Sequence, residues 1–582
     1  MNYLKEYHPY LFTIFMILFL YYTNIKELSF REIIVPLFFS LIATSILFFI
    51  AKKKFKKSPQ IGLYLTSFIV LFFSYGRVAD ILDNPPHVAP IVWQTIELLI
   101  AGLLFFGIFF YLSKRKNSIK TKLMVVSFLA LILSLAFYFI LTNANFRSIF
   151  LYLHPLHLVQ FFNANLYFFA LLYFFIPLLA LIFIIKRINS PQRVNEWLNT
   201  LSIILVIFII AQILFYNFAN TSRPSLADNP FSVQFEKDKV PQATLPDIYY
   251  IILDGYAGEG ALKEHAGFDN LPFLNALKKR GFYVANESAA NYMVTFLSLS
   301  SSLNMNYLDI YTDLIGANSR DRTLPFSVMD RPLVAQHLKS AGYRFIQFSS
   351  SIGATDKNDY ADEFYDPFKL SEVGFLFIRS TPLRLLTPNE IPVVVLHNFE
   401  MLQKIAARED KTPRFVFSHV YSPHPPYLFD RNGKIISEEY YDPSAEQWAD
   451  LKGYVEQLKF INKKTLQSVD AILKKSKRPV LIIIQGDHGF ITDPQWTKHP
   501  TQKNVDGRAS ILNAYYFYDQ NYSQLYPSIS PVNSFRVIFN EYLNQTLPLF
   551  PDQVYFSDDR DTPYQFVKAF EDQTYVGPFP RE

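Results

Sequence analysis

The chain has 582 residues, too many for one ordinary domain. Half of the residues are hydrophobic, the net charge is only +5 and there is no cysteine. This excludes a disulfide-stapled scaffold, a thiol nucleophile and a cysteine-ligated zinc site. The two halves also differ in kind: up to about residue 217 Leu, Ile, Phe and Tyr dominate, and beyond that the composition is that of a globular protein.

The apolar half predicts seven membrane helices, near 10–24, 33–51, 61–76, 91–112, 122–142, 164–185 and 197–217. Most hold enough apolar residues to cross a hydrocarbon core of roughly 30 Å. Any one of them could be a buried core helix, but no soluble domain needs such a series apolar all round. The loops give an orientation. Lys52, Lys53, Lys54, Lys56 and Lys57 follow the second segment, Lys114, Arg115, Lys116, Lys120 and Lys122 the fourth, and Lys186, Arg187 and Arg193 the sixth. The alternate loops are poorer in basic residues, with Arg77 and Arg147 among the few there. The positive-inside rule therefore places the N-terminus in the cytoplasm and everything after the seventh helix outside. The first apolar segment lacks a small-residue cleavage site and reads as an anchor, not a signal peptide. These basic loops account for most of the net charge, so it does not argue for nucleic acid as a partner.

Residues 218–246, rich in Asn, Ser, Pro, Asp and Lys, read as a juxtamembrane linker. From 247 onward short apolar runs alternate with helical patterns. Strands are expected at 247–253, 343–348, 414–420, 479–484 and 514–518, and helices at 270–280, 330–340, 447–475 and 535–543. Such alternation predicts a parallel or mixed sheet with helices on both faces.

Four places carry chemistry. The first strand ends in Asp254-Gly255, which taken alone is an ordinary turn signal. The segment from Asn291 to Asn304 is rich in hydroxyls and opens what reads as a helix; its hydroxyls are N-caps on the plain reading and a nucleophile on the functional one. Spacing does not choose among Thr295, Ser298 and Ser300. The strand at 414–420 runs into Ser422-Pro423-His424-Pro425-Pro426-Tyr427, a loop stiffened by three prolines; His419, inside the strand, reads as a packed histidine. The run from Val480 to Ile484 has the pattern of a strand buried on both faces and ends in Gly486-Asp487-His488-Gly489. A carboxylate and an imidazole at a strand's carboxyl end suit a divalent metal. His499 stands in a polar loop beyond.

In this order the motifs resemble the sulfatase and alkaline-phosphatase superfamily, and most of all its membrane-anchored branch of lipoteichoic acid synthases and lipid A phosphoethanolamine transferases. The resemblance covers roughly 246–520. With the apolar half read as an N-terminal all-α polytopic membrane domain (1–217) and the linker (218–246), it implies a C-terminal α/β sulfatase-like, alkaline-phosphatase-like domain (247–582) with a mostly parallel central sheet. It implies Thr295 as nucleophile, because Thr295 stands three residues before Ser298-Leu299 as in the transferases, although Ser300 replaces a usual proline. It implies Asp254, Thr295, Asp487 and His488 as ligands of one divalent metal, with aspartate where the transferases carry glutamate. His424 and His499 match histidines that bind the substrate phosphate or a second metal. The mixed oxygen and nitrogen donors favour zinc or manganese over calcium. The implied activity moves a phosphorylated head group, phosphoethanolamine- or phosphoglycerol-like, from a membrane lipid donor to a lipid or glycan acceptor of the cell envelope through a phospho-threonine. The protein would sit in the cytoplasmic membrane with its catalytic domain outside. The alternatives are a sulfatase-like hydrolase of phosphate or sulfuric esters and a catalytically inactive membrane sensor. Formylglycine-type sulfatases need Cys or Ser before x-Pro-x-Arg, and no such segment follows Asp254 at the right place.

Overall fold

The computed structural model of the protein describes residues 6–25, 30–54, 59–83, 191–219 and 229–580, except 234, 236–244, 369–371, 384–389, 437–447 and 494, together with isolated positions between 182 and 190. These residues form two units: Met1–Ala219 with Leu370–Thr387, and Asn220–Lys369 with Pro388–Glu582.

In the first unit α1 (His8–Thr23), a 3-10 turn (Phe30–Ile33) leading into α2 (Ile34–Lys54), α3 (Ile61–Asp83) and α4 (Pro191–Ala219) cover the helices expected at 10–24, 33–51, 61–76 and 197–217. Those expected at 91–112, 122–142 and 164–185 lie outside the described residues, but for isolated positions near the last. Among the described residues, Phe30–Lys54 and Pro191–Phe218 are long and apolar enough to cross a membrane, while His8–Thr23 and Ile61–Gly76 are shorter apolar helices. The outer faces of this unit are apolar, unlike those of a water-soluble bundle. Phe38, Phe39 and Phe49 of α2 and Ile207, Phe208 and Phe215 of α4 face outward. The polar groups are inside: His8 Nδ1 lies 2.7 Å from Thr66 Oγ1 and its Nε2 3.1 Å from Asn195 Oδ1, and Thr13 pairs with Thr44 at 3.0 Å. Lipid tails tolerate the outward Phe and Ile, and polar side chains then bond across helices. The unit also includes a short helix from further along the chain, Glu372–Arg379 (α11).

The second unit is built on a seven-stranded sheet. Its strands are β1 (Asp247–Leu253), β2 (Tyr283–Val284), β3 (Arg344–Phe348), β4 (Glu363–Tyr365), β5 (Arg414–Val420), β6 (Val480–Gly486) and β7 (Asn513–Phe517), in the order β2-β7-β6-β1-β5-β3-β4. β1 pairs parallel with β5 and β6, and β3 parallel with β5 and β4; β7 runs antiparallel to β6 and β2. Every residue of β1, β5 and β6 is buried, which explains their nearly unbroken apolar sequences. Alternate side chains of β1 enter two cores: Tyr249, Ile251 and Leu253 on one face, Ile248, Tyr250 and Ile252 on the other. Each fully buried isoleucine there stabilises the fold by ~1.5–3 kcal/mol. The first core is closed by α12 (Glu390–Ala406) and α13 (Leu451–Lys475), the second by α7 (Thr295–Asn304) and α15 (Pro531–Tyr542). Shorter helices α5 (Glu259–Ala266), α6 (Leu271–Lys278), α8 (Asp309–Ile315), α9 (Thr323–Asp330), α10 (Leu333–Ser340) and α14 (Gln502–Ala509) fill the connections. A small antiparallel sheet, β8 (Gln553–Asp558), β9 (Thr562–Glu571) and β10 (Thr574–Tyr575), completes the unit.

Candidate active site

Three adjacent parallel strands deliver the candidate residues to one place. Asp254 follows β1, Asp487 and His488 follow β6, and the proline-rich loop with His424 follows β5. The carboxyl ends of parallel strands are where such sheets place ligands. Gly255 makes the turn possible with φ +71°, and its N–H donates to Asp487 Oδ1 at 3.0 Å. The His424 N–H donates to Asp254 O at 2.9 Å. The loop around His424 is pinned from α13, where Gln457 Nε2 donates to His424 O at 3.1 Å and Gln457 Oε1 accepts from Leu428 N at 2.7 Å.

At the centre, hydrogen-bond acceptors face one another. His488 Nδ1 bonds to Gly489 O at 2.9 Å, so Nε2 presents its lone pair. Around that nitrogen stand Thr295 Oγ1 at 3.2 Å, Asp487 Oδ2 at 3.4 Å and Asp254 Oδ1 at 3.5 Å. Asp254 Oδ1 and Asp487 Oδ2 are both buried without a hydrogen-bond partner. Two uncompensated buried carboxylate oxygens cost several kcal/mol unless a cation lies between them. Burial drives Asp254 up to about 8, with Arg508 pulling it back, and Asp487 up to about 7, with the charge of Asp254 adding to the effect. Burial likewise drives His488 well below its ordinary value and His424 down to about 3, keeping both imidazoles neutral as metal ligation requires. Two overlapping donor sets, Asp254/His424/His488 and Asp254/His419/Asp487, have ligand atoms within 4.8 Å of one another. The residues therefore fit a divalent metal bound by carboxylate, imidazole and hydroxyl.

Among the three hydroxyls, only Thr295 reaches this centre. It is the first residue of α7, where the helix's positive end favours an anion. Ser298 Oγ donates to Asp487 O at 2.6 Å, and Ser300 is fully buried. The structure brings Asp254, Thr295, His424, Asp487 and His488 together. His499 lies on an exposed turn, its N–H bonded to Gln495 O, and is in neither donor set.

Three groups at the site escaped the sequence reading. His419 is packed in β5, as expected there, but its ring also links Thr355 Oγ1 (Nδ1, 2.7 Å) to Asp254 Oδ2 (Nε2, 3.1 Å). Arg508, on α14, is buried beside His488. Its Nε donates to Met293 O and its Nη1 to Gly489 O, both at 3.0 Å, and Nη2 lies 3.1 Å from His488 Nε2. The guanidinium lies over the ring of Trp448 at 4.8 Å, and Trp448 packs edge-on against His424. Arg508 sits near the end of the polar helix α14, a setting common for solvated arginines, so nothing in the sequence singled it out.

Residues 246–535 match the family model for sulfatases. No curated protein matches the chain. Among solved structures the chain is similar to the zinc-bound C-terminal periplasmic domain of EcEptC from Escherichia coli, with 13% identity, a TM-score of 0.39, and coverage of 57% of this chain and 94% of that one. It is also similar to the periplasmic domain of phosphoethanolamine transferase EptC from Campylobacter jejuni, with 11% identity, a TM-score of 0.34, and coverage of 53% and 92%. The integral membrane lipooligosaccharide phosphoethanolamine transferase A (EptA) from Neisseria meningitidis aligns over 91% of this chain and 95% of its own, with 10% identity and a TM-score of 0.38. Through its domain at residues 246–535, the chain belongs to the sulfatase family.

Proposed function

We propose that the protein is a membrane-bound, metal-dependent transferase that moves a phosphorylated head group from a lipid donor to an envelope acceptor through a phospho-Thr295 intermediate. One observation carries this reading: a threonine hydroxyl, not a cysteine or serine, stands at a helix N-terminus 3.2 Å from His488 Nε2, beside two orphaned carboxylate oxygens. Asp254, Asp487, His488 and the Thr295 hydroxyl would hold the divalent ion. When bound, such an ion lowers the pKa of a coordinated hydroxyl and offsets charge on phosphoryl oxygens. Thr295 Oγ1 attacks phosphorus; the bond from phosphorus to the lipid oxygen breaks, and the lipid alcohol leaves with the proton lost from Thr295. An acceptor hydroxyl then attacks the same phosphorus, the bond from phosphorus to Thr295 Oγ1 breaks, and Thr295 regains its hydroxyl with the proton lost by the acceptor. Arg508, fixed by Met293 O and Gly489 O, would offset charge on the phosphoryl oxygens, and His424, a neutral imidazole held by its loop, would orient them. The domain limits 1–217, 218–246 and 247–582, and the placement of the catalytic domain outside the cytoplasmic membrane, are part of this reading. A membrane-helix unit holds the site near lipid, which a water-soluble ester hydrolase does not need.

The test is mass spectrometry of the full-length protein after exposure to metal and a head-group-labelled phospholipid. A labelled phosphoryl adduct on Thr295 is expected, lost on addition of acceptor and absent in Thr295→Ala, with turnover reduced by about 10³-fold or more. Full turnover by Thr295→Ala would sink the nucleophile assignment. Rapid loss of the adduct to water alone would make the protein a hydrolase, and a wild-type protein that takes up neither metal nor label would be an inactive sensor.

A further inference from the structure

Between β4 and α12 the chain departs from the sulfatase unit. Residues 370–387 group with Met1–Ala219, while the residues on either side of them belong to the other unit. The helix within this segment, α11, is apolar apart from Glu372, Gly374 and Arg379. Val373 is fully buried in a cluster with Leu18 and Tyr21 of α1, Ile33 before α2, and Ile213 of α4. The Phe377 ring packs edge-on against Phe73 of α3, with centroids 5.6 Å apart. Just beyond α11 the backbones touch: the Gly76 N–H donates to Ser380 O at 3.1 Å, and a Cβ at Gly76 would lie 2.4 Å from Arg379 O. Only glycine permits that approach.

All these contacts fall at one end of the bundle. They involve the end of α1, the start of α2 and the later parts of α3 and α4. The opposite end carries Lys52, Lys53 and Lys54 at the close of α2, with Lys52 Nζ 4.0 Å from Glu6. The basic loops place that lysine end in the cytoplasm, so the end that receives α11 is the outer one. The segment therefore meets the bundle on the side where the basic loops put the chain that follows the seventh helix.

We infer that residues 370–387 are a second attachment of the sulfatase unit to the membrane-helix unit: an internal strap, seated by Val373 and Phe377, that acts in addition to the covalent connection through 220–246. The chain thus enters the sulfatase unit, returns to the helices and enters the unit again. This inference does not depend on the proposed chemistry, and its test reads attachment, not turnover.

The full-length protein is placed in membranes with a site-specific protease sequence introduced within 220–228 and is then cut. The fragment running to Glu582 stays in the membrane pellet although its covalent link is severed. In Val373→Asp/Phe377→Asp the same cut moves the fragment to the supernatant, where an unchanged circular dichroism spectrum shows that the domain is folded. Release of the wild-type fragment by cutting alone would overturn the strap, as would retention of the double variant. The absence of cysteine allows a second measurement. With Phe73→Cys and Phe377→Cys, a short bifunctional thiol reagent should join the two fragments of the cut protein into one band on a denaturing gel. Fragments that run apart while both cysteines accept a monofunctional maleimide would overturn the inference.

Discussion

At the scale of single residues, His419 shows how a packing position doubles as a functional one. It bridges Thr355 and the Asp254 oxygen that does not face His488, so it fixes which carboxylate oxygen points to the centre. Partners that orient a metal ligand in this way typically affect affinity by about 10–100-fold. His419→Ala is expected to weaken zinc or manganese binding by about that factor in a metal titration while the domain stays folded; unchanged affinity would remove the role. Elsewhere Glu363 on β4 accepts from Arg408 Nη1 at 2.8 Å and Nη2 at 3.0 Å, and from Arg344 at 3.2 Å. The Arg408 bonds, more than any other contact, hold its carboxyl down at about 2, below the ordinary 4.5. A depressed carboxyl stabilises the fold above its unfolded pKa and loses that contribution as pH falls through its folded one, so the window runs from 4.5 down to about 2. Allowing for solvent screening, Glu363→Gln should lower unfolding free energy by about 1–2 kcal/mol at pH 7. The difference from the parent should shrink in denaturant melts taken toward pH 2; a gap that persists there would argue for lost packing instead.

At the scale of elements, the ends of β1 and β6 approach so closely that one missing side chain matters. The Gly486 N–H donates to Leu512 O at 2.8 Å, and a Cβ at Gly486 would lie 2.3 Å from Tyr256 O. Gly486→Ala should cost about 1–3 kcal/mol by overpacking and lower metal occupancy, because Asp487 moves with it; a melt and a metal assay together check this, and normal occupancy would refute the coupling. Elements were legible in the sequence in proportion to how local their cause is. β1, β5 and β6 announced themselves as apolar runs because each is buried on both faces, and the observed limits agree within two residues. Asp254, Asp487 and His488 were legible for the same reason, as polar residues ending such runs. β2 and β4, two and three residues long, are made by their partners and leave no pattern. α12 was missed because Pro392 and Val393 to Val395 read against a helix, although proline is tolerated in a first turn. Trp448 and Arg508 reach the site from α13's approach and from α14, and nothing nearby in the sequence ties them to it.

For the molecule as a whole, a sulfatase-family domain is joined to a helix unit with apolar outer faces, and the candidate metal site lies at the carboxyl ends of that domain's central strands. Removing metal leaves Asp254 Oδ1 and Asp487 Oδ2 uncompensated in the interior, so a chelator should lower the thermal midpoint of the domain by several degrees, and zinc or manganese should restore it. No change in midpoint would mean that the site does not hold metal in the folded protein. The sheet order has a consequence for how the domain assembles. β1 is the first strand made and the centre of the sheet, yet both of its neighbours are synthesised much later, and the Gly255 N–H meets Asp487 across 232 positions of chain. Contacts of such long separation form slowly, because a large loop must close before any pairing rewards it. No partial chain that lacks β6 can assemble the cluster, and no early intermediate presents metal with more than scattered ligands. Metal capture would therefore be a late event that reports a finished sheet, and a chain stalled before residue 480 could pair β1 with β5 on one side but would leave its other edge open.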